Sequence, residues 1–310
     1  MEHHEDFRSA YFSALSRLKK HGRLSPGTND PTSVGSHFGK GARSTCEILG
    51  CGFEMENPRQ RLVTTASRRI NANFLVANFL WTIAGGHEFE MIASYNDKAY
   101  RFARDESYFE AAFGARLFSP GHQLRLVERR LRADQNNRRG LAMIYLAEDT
   151  LVDRLDVPCA IALQFFVRDQ KLVCMTIMRS QSAAMIMPYD VFLFTMIQEL
   201  LAVRLGLQMG PYIHFAASLH YYEDEKGLVD SILAEQQGAP ISMPEMKMAD
   251  DQTLAELVQA ERAIRNAHRF GTVSPDLSGF KLDDYWRDFL SPLIAPSQNR
   301  ERHGYWNALQ

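Results

Sequence analysis

Residues 160–179 read AIALQFFVRDQKLVCMTIMR, which is two apolar runs on either side of the polar turn RDQK at 168–171. This arrangement predicts a β-hairpin with strands over 160–167 and 172–179. Apolar spacing and alternation then predict, further along the chain, a strongly apolar helix and another strand, over 191–205 and 212–222. A hairpin followed by a buried helix and a further strand favours an α+β fold.

The rest of the chain adds elements of both kinds. Helical spacing of apolar residues predicts helices over 5–20, 73–83, 122–132 and 251–267. Strands are expected over 47–55 and 141–147. Residues 21–45 are rich in Gly, Ser and Thr and are predicted to form a mobile loop on the phosphate side of a site. Because no repeat, low-complexity tract or linker divides the chain, we expect a single domain over 1–310.

Composition limits the classes of protein that the chain can represent. It has 310 residues, 45% of them apolar, and its 35 Lys and Arg nearly balance 37 Asp and Glu for a net charge of −2. This excludes a simple basic nucleic-acid binder and an acidic disordered chain. No apolar run approaches the roughly 20 residues that span a bilayer, and Met1–Asp6 is polar, unlike a secretory signal. With only four cysteines, we expect a reduced, cytoplasmic protein without a membrane or nucleic-acid partner.

Several short motifs lack the neighbouring residues or the position that their usual function requires. Ser16 and Lys19 have the S-x-x-K spacing but lie on the predicted exposed side of a helix. Cys46 and Cys51 lack partners at zinc-binding spacing. His87-Glu88 lacks a second histidine, and no glycine-rich phosphate loop is present. We therefore expect no metal site.

Five polar segments stand out around the hairpin and the following strand. They are Arg138-Arg139, Pro158-Cys159, Arg179-Ser180, Pro188-Tyr189-Asp190 and His220-Tyr221-Tyr222. Each has an ordinary structural explanation when it is taken singly. A cysteine at a strand often fills a core, an aspartate before a helix is often an N-cap, and an arginine pair is often solvated.

In this order and spacing, the segments resemble the thymidylate synthase superfamily, over roughly residues 40–270 and most densely over 138–222. Leu62-Val63-Thr64-Thr65, Phe79-Leu80-Trp81 and Gln164-Phe165 add to the resemblance. It implies one α+β domain around a large mixed β-sheet flanked by helices. It also implies a homodimer in which two copies pack sheet against sheet.

The resemblance implies a nucleotide site with a cysteine nucleophile. Cys159 would add to C6 of a pyrimidine nucleoside monophosphate, so that C5 can attack a one-carbon unit, and Arg179 would lower the pKa of the thiol. The phosphate would be held by Arg179 and Ser180, by the partner subunit's Arg138 and the partner subunit's Arg139, and by Lys40 or Arg43 of the loop. Gln164 would lie near the nucleotide, and the sugar 3′-hydroxyl would be bound by His220 and Tyr222.

Asp190 stands where uracil-specific members of this superfamily carry asparagine. A carboxyl group accepts from the 4-amino group of cytosine and, when protonated, donates to N3, whereas an amide suits uracil. Aspartate at this place is the pattern of the cytidylate hydroxymethylase branch. An N-cap role for Asp190 is compatible with base recognition.

The folate half of the site departs from the usual pattern. The catalytic glutamate of the superfamily falls on Asn78, which cannot relay a proton as a carboxylate does. The aspartate that anchors the pterin falls on Ser182, and a small glycine falls on Ile186. Trp81 and Tyr100 stand on the folate side, where Tyr100 takes the place of a tryptophan. The hydroxyl that assists proton removal at C5 is replaced by Phe113.

The leading hypothesis is therefore a hydroxymethyltransferase of nucleotide biosynthesis that acts at C5 of CMP or dCMP with 5,10-methylenetetrahydrofolate. One alternative is a folate-independent enzyme that uses the same Cys159 adduct on a pyrimidine nucleotide. Another is a non-catalytic nucleotide-binding homologue. The sequence does not distinguish a ribose substrate from a deoxyribose substrate. Trp306, near the C-terminus, either covers the site or packs in the core.

Overall fold

The computed structural model describes residues 1–27, 43–96, 108–119, 123–151, 156–294 and 304–309. Within these ranges the chain forms a mixed sheet of eight strands and nine α-helices. The strands are β1 (Glu2–His4), β2 (Arg23–Ser25), β3 (Thr45–Met55), β4 (Leu141–Met143), β5 (Ala160–Arg168), β6 (Lys171–Met178), β7 (Gln181–Ser182) and β8 (Gln208–Tyr222). The helices are α1 (Phe7–His21), α2 (Ala72–Ile83), α3 (Phe89–Ala93), α4 (Phe113–Leu117), α5 (Gln123–Ala133), α6 (Met187–Leu205), α7 (Lys226–Ala234), α8 (Asp251–Phe270) and α9 (Asp284–Ile294).

The sheet is mixed because a helix connects two of its central strands. Its order is β1-β3-β8-β6-β5-β4, with β2 beside β3 and β7 beside β8. β8 is antiparallel to β3 and parallel to β6. Parallel neighbours need a crossover connection, and α6 provides it between β6 and β8. The predicted α+β fold around a large mixed sheet flanked by helices is confirmed.

The predicted hairpin is confirmed as β5 and β6, which pair antiparallel from Arg168 and Lys171 to Ala160 and Met178. Asp169 and Gln170 form its two-residue turn with φ angles of 51° and 59°. Positive φ at both central positions gives a turn whose twist matches that of the strands. The turn therefore aligns the opposite ends of the two strands, where Cys159 and Arg179 lie.

Two predicted segments differ from the structure. The strand predicted over 141–147 ends at Met143, because residues 147–150 form a 3₁₀ helix. Asp149 holds that helix by an ion pair with Arg116 and by accepting a hydrogen bond from the Leu146 N–H at 2.8 Å. The loop predicted over 21–45 contains β2 and the first residue of β3, and residues 28–42 lie outside the described ranges.

The other predicted elements are confirmed with shifts of a few residues at their ends. The N-terminal helix begins at Phe7 because the Asp6 carboxylate accepts a hydrogen bond from the Ser9 N–H at 2.7 Å and caps it. The helix predicted over 191–205 begins earlier, at Met187, with Pro188 in its first turn. Among the described helices, none combines the length and apolar character needed to cross a membrane.

Helix α6 lies at the centre of the hydrophobic core and is buried on nearly every side. A helix that is apolar all round is expected in such a position. Its buried polar residues have partners: Glu199 pairs with Arg61, and the Gln198 amide donates to the Gly210 carbonyl at 2.8 Å. Trp306 is fully buried, and its indole donates to the Asp288 carbonyl at 3.0 Å. Its role in the structure is ordinary packing.

The opposite face of the central strands carries apolar side chains that are only partly buried. Register places them side by side, since Phe166 lies opposite Val173 and Ile177 lies beside Phe215. Phe215 is 36% exposed, and the others are half-buried. Along β5 and β6, alternate residues are fully buried on the helix side. The sheet thus has one face covered by helices and one apolar face that water can reach, called the open face below.

Candidate active site

Cys159 and Arg179 meet where the two strands of the hairpin end. Cys159 precedes β5 and Arg179 follows β6, and the Arg179 N–H donates to the Cys159 carbonyl at 2.8 Å. The guanidinium donates to the carbonyls of Pro158 at 2.8 Å and Val157 at 3.0 Å. Its Nη2 lies 3.9 Å from Cys159 Sγ. The arginine is therefore anchored beside the thiol by the segment that carries the thiol.

The pKa of the Cys159 thiol is raised from its ordinary value. Desolvation is the main cause, and the nearby Arg179 acts in the opposite direction. Cys159 is exposed at the surface, yet protein atoms surround it closely enough for desolvation to prevail. Arg179 lowers the pKa of the thiol as predicted, but desolvation outweighs this effect because a thiolate here lacks much of its water.

Asp190 lies inside the first turn of α6, where Ile186 is the residue at the N-cap position. The N-cap role considered for Asp190 is therefore wrong. Asp190 is 8% exposed, and its carboxyl accepts a hydrogen bond from the Gln181 amide at 2.9 Å. Burial raises the pKa of Asp190 to about 7, although the hydrogen bond from Gln181 lowers it. The charge of Asp190 also raises the pKa of Cys159, so the two groups are near enough to interact electrostatically.

His220 and Tyr222 lie together at the end of β8. Their rings are 5.3 Å apart in an edge-on arrangement. Burial lowers the pKa of His220 below its usual value, while the charge of Glu47 acts against this. His220 is in register with Ser182 of β7, and its carbonyl accepts from the Ala183 N–H at 2.7 Å. A neutral imidazole at this point offers one donor and one acceptor.

Arg43 lies against this end of β8. Its guanidinium carbon is 3.6 Å from the centre of the Tyr222 ring. The same guanidinium forms ion pairs with Asp224 and, at 3.5 Å, with Glu225. Arg43 is thus near the predicted sugar-binding pair, with its charge shared between two carboxylates. Lys40, the other candidate of the phosphate loop, lies outside the described residues.

Arg138 and Arg139 are exposed in the segment between α5 and β4. The Gln164 amide donates to the Arg138 carbonyl at 3.2 Å, and the Arg139 carbonyl accepts from Arg130 at 3.0 Å. Gln164 is half-buried on β5, in register with Met175 of the open sheet face. These three residues lie together along the edge of that face, and Ser180 is half-buried beside Arg179.

The folate-side positions form a ladder that ends at Asp190. The Ile186 N–H donates to the Ser182 carbonyl at 3.2 Å, and the Asp190 N–H donates to the Ile186 carbonyl at 3.1 Å. The Ser182 hydroxyl is buried and has no hydrogen-bond partner within the described part of the chain. Ile186 is 45% exposed. These two backbone hydrogen bonds place Ser182 and Ile186 next to Asp190.

The remaining positions on the folate side are on helix α2 and near it. Asn78 is half-buried on α2, three residues before Trp81. Trp81 is largely buried, 5.4 Å from the ring of Phe109. Phe113 stacks on Phe194 of α6 at 5.8 Å, which is ordinary core packing. Tyr100 lies outside the described ranges.

Two residues of the site are missed by the sequence analysis. Gln181 contacts Asp190, and a glutamine on a two-residue strand carries no signal that would predict this contact. Asp156 acts on the Cys159 thiol through its charge. Its carboxylate accepts from the Ala111 N–H at 3.0 Å, and burial raises its pKa to about 6. Its place three residues before Cys159 is the one sequence feature that points to it.

Within the described ranges, no three His, Cys, Asp or Glu side chains are arranged to hold a metal ion.

Comparison with known proteins gives a consistent family. The family model described as thymidylate synthase matches residues 19–269. The deoxyuridylate hydroxymethyltransferase of Bacillus phage SP01 is 32% identical over 196 residues, which are 58% of this chain and 51% of that protein. The deoxyuridylate hydroxymethyltransferase of Delftia phage PhiW-14 is 26% identical over 247 residues, which are 74% of this chain and 64% of that protein. A thymidylate synthase of Listeria monocytogenes is 24% identical over 120 residues, which are 39% of this chain and 37% of that protein. The chain thus spans about half to just under two thirds of the length of the two hydroxymethyltransferases.

Proposed function

Because the chain belongs to the thymidylate synthase family, we propose that it is an enzyme that transfers a one-carbon unit to C5 of a pyrimidine nucleoside monophosphate. More finely, we propose a hydroxymethyltransferase whose substrate is a cytidine nucleotide, CMP or dCMP. The observation that carries this proposal is the buried Asp190 carboxyl in the same site as the exposed Cys159 thiol. The Cys159 thiol suits attack on the pyrimidine ring, and the Asp190 carboxyl suits recognition of the base.

Cys159 would be the nucleophile. Its thiolate forms a bond from Sγ to C6 of the pyrimidine, and the electron pair of the C5–C6 double bond moves to C5. C5 then has the electrons to bond to the one-carbon unit, and loss of the C5 proton to solvent lets the C5–C6 double bond re-form as Sγ leaves. Arg179, 3.9 Å from the sulfur, stabilises the thiolate that attacks and the thiolate that leaves.

Asp190 would recognise the base. With a pKa of about 7, a large share of its carboxyl groups is protonated at neutral pH. A protonated carboxyl donates to N3 of cytosine through one oxygen and accepts from the 4-amino group through the other. When the proton is held on the oxygen that faces N3, uracil would meet mismatched donors and acceptors, which costs about 1–3 kcal/mol for each unpaired group.

The sugar and phosphate would be bound at the ends of β6 and β8. The phosphate is bound by Arg179 and Ser180 of one subunit and by Arg138 and Arg139 from a second copy of the chain. Planar guanidinium groups suit this because they donate two hydrogen bonds to one phosphate. His220 is kept neutral by burial, so it offers the sugar hydroxyl one donor and one acceptor, with Tyr222 beside it.

Thymidylate synthase-like enzymes use methylenetetrahydrofolate, and the residues beside Asp190 fit such a group. The buried, unpartnered hydroxyl of Ser182 would bind a polar ring edge, and the exposed side chain of Ile186 would contact its apolar face. When bound, the folate supplies a one-carbon unit. Asn78 would orient a water molecule by its amide without accepting the proton.

The partly buried apolar face of the sheet supports a homodimer through sheet packing. Two apolar pairs lie on it, Phe166 opposite Val173 and Ile177 beside Phe215. Arg138 and Arg139 are exposed at the edge of the sheet, from which they would reach the partner's nucleotide.

The test is mass spectrometry of CMP, dCMP, UMP and dUMP after incubation with methylenetetrahydrofolate, using the wild-type protein and Asp190→Asn. We expect a hydroxymethyl adduct on a cytosine nucleotide with the wild type. The names of the two phage relatives favour deoxyuridylate instead, and an adduct on dUMP alone would establish that second candidate. For Asp190→Asn we expect the preference to move toward uracil by about 100-fold in kcat/KM, since one mismatched pair of buried groups is relieved. An unchanged preference would contradict base recognition by Asp190.

A further inference from the structure

We propose that Gln181 is a positioning residue that fixes which oxygen of Asp190 accepts and which donates, and so selects cytosine over uracil. This inference rests on the proposed function, because it concerns the group that would bind the base. It assigns a specificity role to a side chain that does not itself contact the nucleotide.

The contact between the two side chains is short and buried. Gln181 Nε2 lies 2.9 Å from Asp190 Oδ2, and the two residues are 1% and 8% exposed. Among the described residues, Gln181 is the side chain that donates a hydrogen bond to this carboxyl. Cys159, just before β5, and Tyr212 on β8 interact electrostatically with Asp190.

The orientation of the Gln181 amide follows from a second acceptor. Nε2 is also 3.5 Å from the Ser182 carbonyl oxygen. If the amide were turned over, its oxygen would face the Ser182 carbonyl oxygen, and no proton would lie between these two acceptors. The NH₂ group therefore faces Asp190, and Gln181 Oε1 is left buried without a hydrogen-bond partner in the described part of the chain.

The backbone keeps Gln181 in this position. Gln181 belongs to β7 and is in register with Leu219 of β8, whereas Asp190 belongs to the first turn of α6. A strand fixed in the sheet thus holds a residue at the start of the helix. The Gln181 amide donates to Asp190 but leaves its own oxygen without a hydrogen bond, which lowers the free energy of unfolding. This cost favours a role for Gln181 in the site.

The consequence concerns the proton of Asp190. Because Oδ2 already accepts from Gln181, the proton of the neutral carboxyl resides on Oδ1. Oδ1 then donates to N3 of cytosine, and the free lone pair of Oδ2 accepts from the 4-amino group. Uracil presents N3–H to the Oδ1–H donor and O4 to the Oδ2 acceptor, so both contacts are mismatched.

The experiment measures Kd values for dCMP and dUMP by calorimetry, without folate, for the wild type, Gln181→Met, Asp190→Asn and the double variant. We expect Gln181→Met to reduce the preference for dCMP about tenfold, as for the loss of one orienting hydrogen bond. The preference should not change further when Gln181→Met is added to Asp190→Asn, because Gln181 acts through Asp190. Gln135→Met, in an exposed turn, is the control and should behave like the wild type.

The outcomes separate this inference from the proposed function. A folded Gln181→Met variant with an unchanged dCMP preference would overturn the inference alone. If the methionine variant does not fold, Gln181→Asn keeps an amide that is too short to reach Oδ2 and should show the same loss. Wild-type protein that prefers dUMP to dCMP would overturn both this inference and the proposed cytidine substrate.

Discussion

At the scale of single residues, Cys159 and Asp190 share one physical situation. Both are ionisable groups whose pKa is raised by burial among protein atoms, and each has one polar neighbour that opposes the shift. Arg179 stabilises the thiolate, and Gln181 stabilises the carboxylate. The proposed reaction needs the thiol without its proton and the carboxyl with it, so these neighbours control the fraction of protein in the productive state.

We predict that Cys159→Ala abolishes turnover and leaves nucleotide binding nearly intact. Loss of the nucleophile removes the bond to C6, so kcat should fall by at least about a thousandfold. The Kd for the nucleotide should change by less than about threefold, since the arginines and His220 remain. Product formation by mass spectrometry and Kd by calorimetry are the measurements.

The matched control is Cys46→Ala. Cys46 is half-buried on β3, and its thiol contacts the Leu18 carbonyl at 3.4 Å. It should keep wild-type turnover. Residual activity of Cys159→Ala near that of the control would rule out the covalent adduct.

At the scale of elements, the β5–β6 hairpin determines where Cys159 and Arg179 meet. Its turn places two residues with side chains, Asp169 and Gln170, at positive φ. A residue with a Cβ is strained in this region, by about 1–2 kcal/mol relative to glycine. The strain is tolerated because the two long strands pair in register from the turn to Ala162 and Ile177.

We predict that Gln170→Gly stabilises the protein. Relief of the left-handed strain exceeds the entropy that glycine adds to the unfolded chain, for a net gain of roughly 0.5–1 kcal/mol in the free energy of unfolding. Denaturant unfolding is the measurement. The control Gln170→Ala keeps the Cβ and should stay near the wild type, and an equal gain in both variants would argue against a backbone effect.

At the scale of the whole molecule, the open face of the sheet is the unexplained surface. Its apolar residues come from β5, β6 and β8 and lie in register. Contiguous apolar patches of this kind are found mainly at interfaces. A second copy packed on this face would bury it and bring the exposed Arg138 and Arg139 toward another site.

We predict that the protein is a dimer and that Ile177→Glu combined with Phe215→Glu makes it monomeric. Two carboxylates buried in the interface would lose their water without gaining a partner. Light scattering after size exclusion measures the mass, and turnover should fall with the loss of the partner's arginines. Phe270→Glu, at a 71% exposed position on α8, should leave the mass unchanged. A monomeric wild type would contradict the prediction.

The sequence by itself determined the elements and the family. Periodicity located the hairpin, the buried helix α6 and strand β8, because apolar residues must face the core at the period of their own backbone. It also placed Cys159 next to Arg179, since paired strands bring their ends together. The ends of elements were less well predicted: the strand over 141–147 stops early because Arg116, far along the chain, pairs with Asp149.

Only the tertiary structure decided the state of the site. Burial raises the pKa of Cys159 against the effect of Arg179, and burial depends on every element packed around the thiol. Asp190 is a member of the first turn of α6 instead of its cap, and its partner Gln181 comes from a different element. Local sequence cannot specify desolvation or contacts between separate elements, because both arise only when the sheet and the helices pack together.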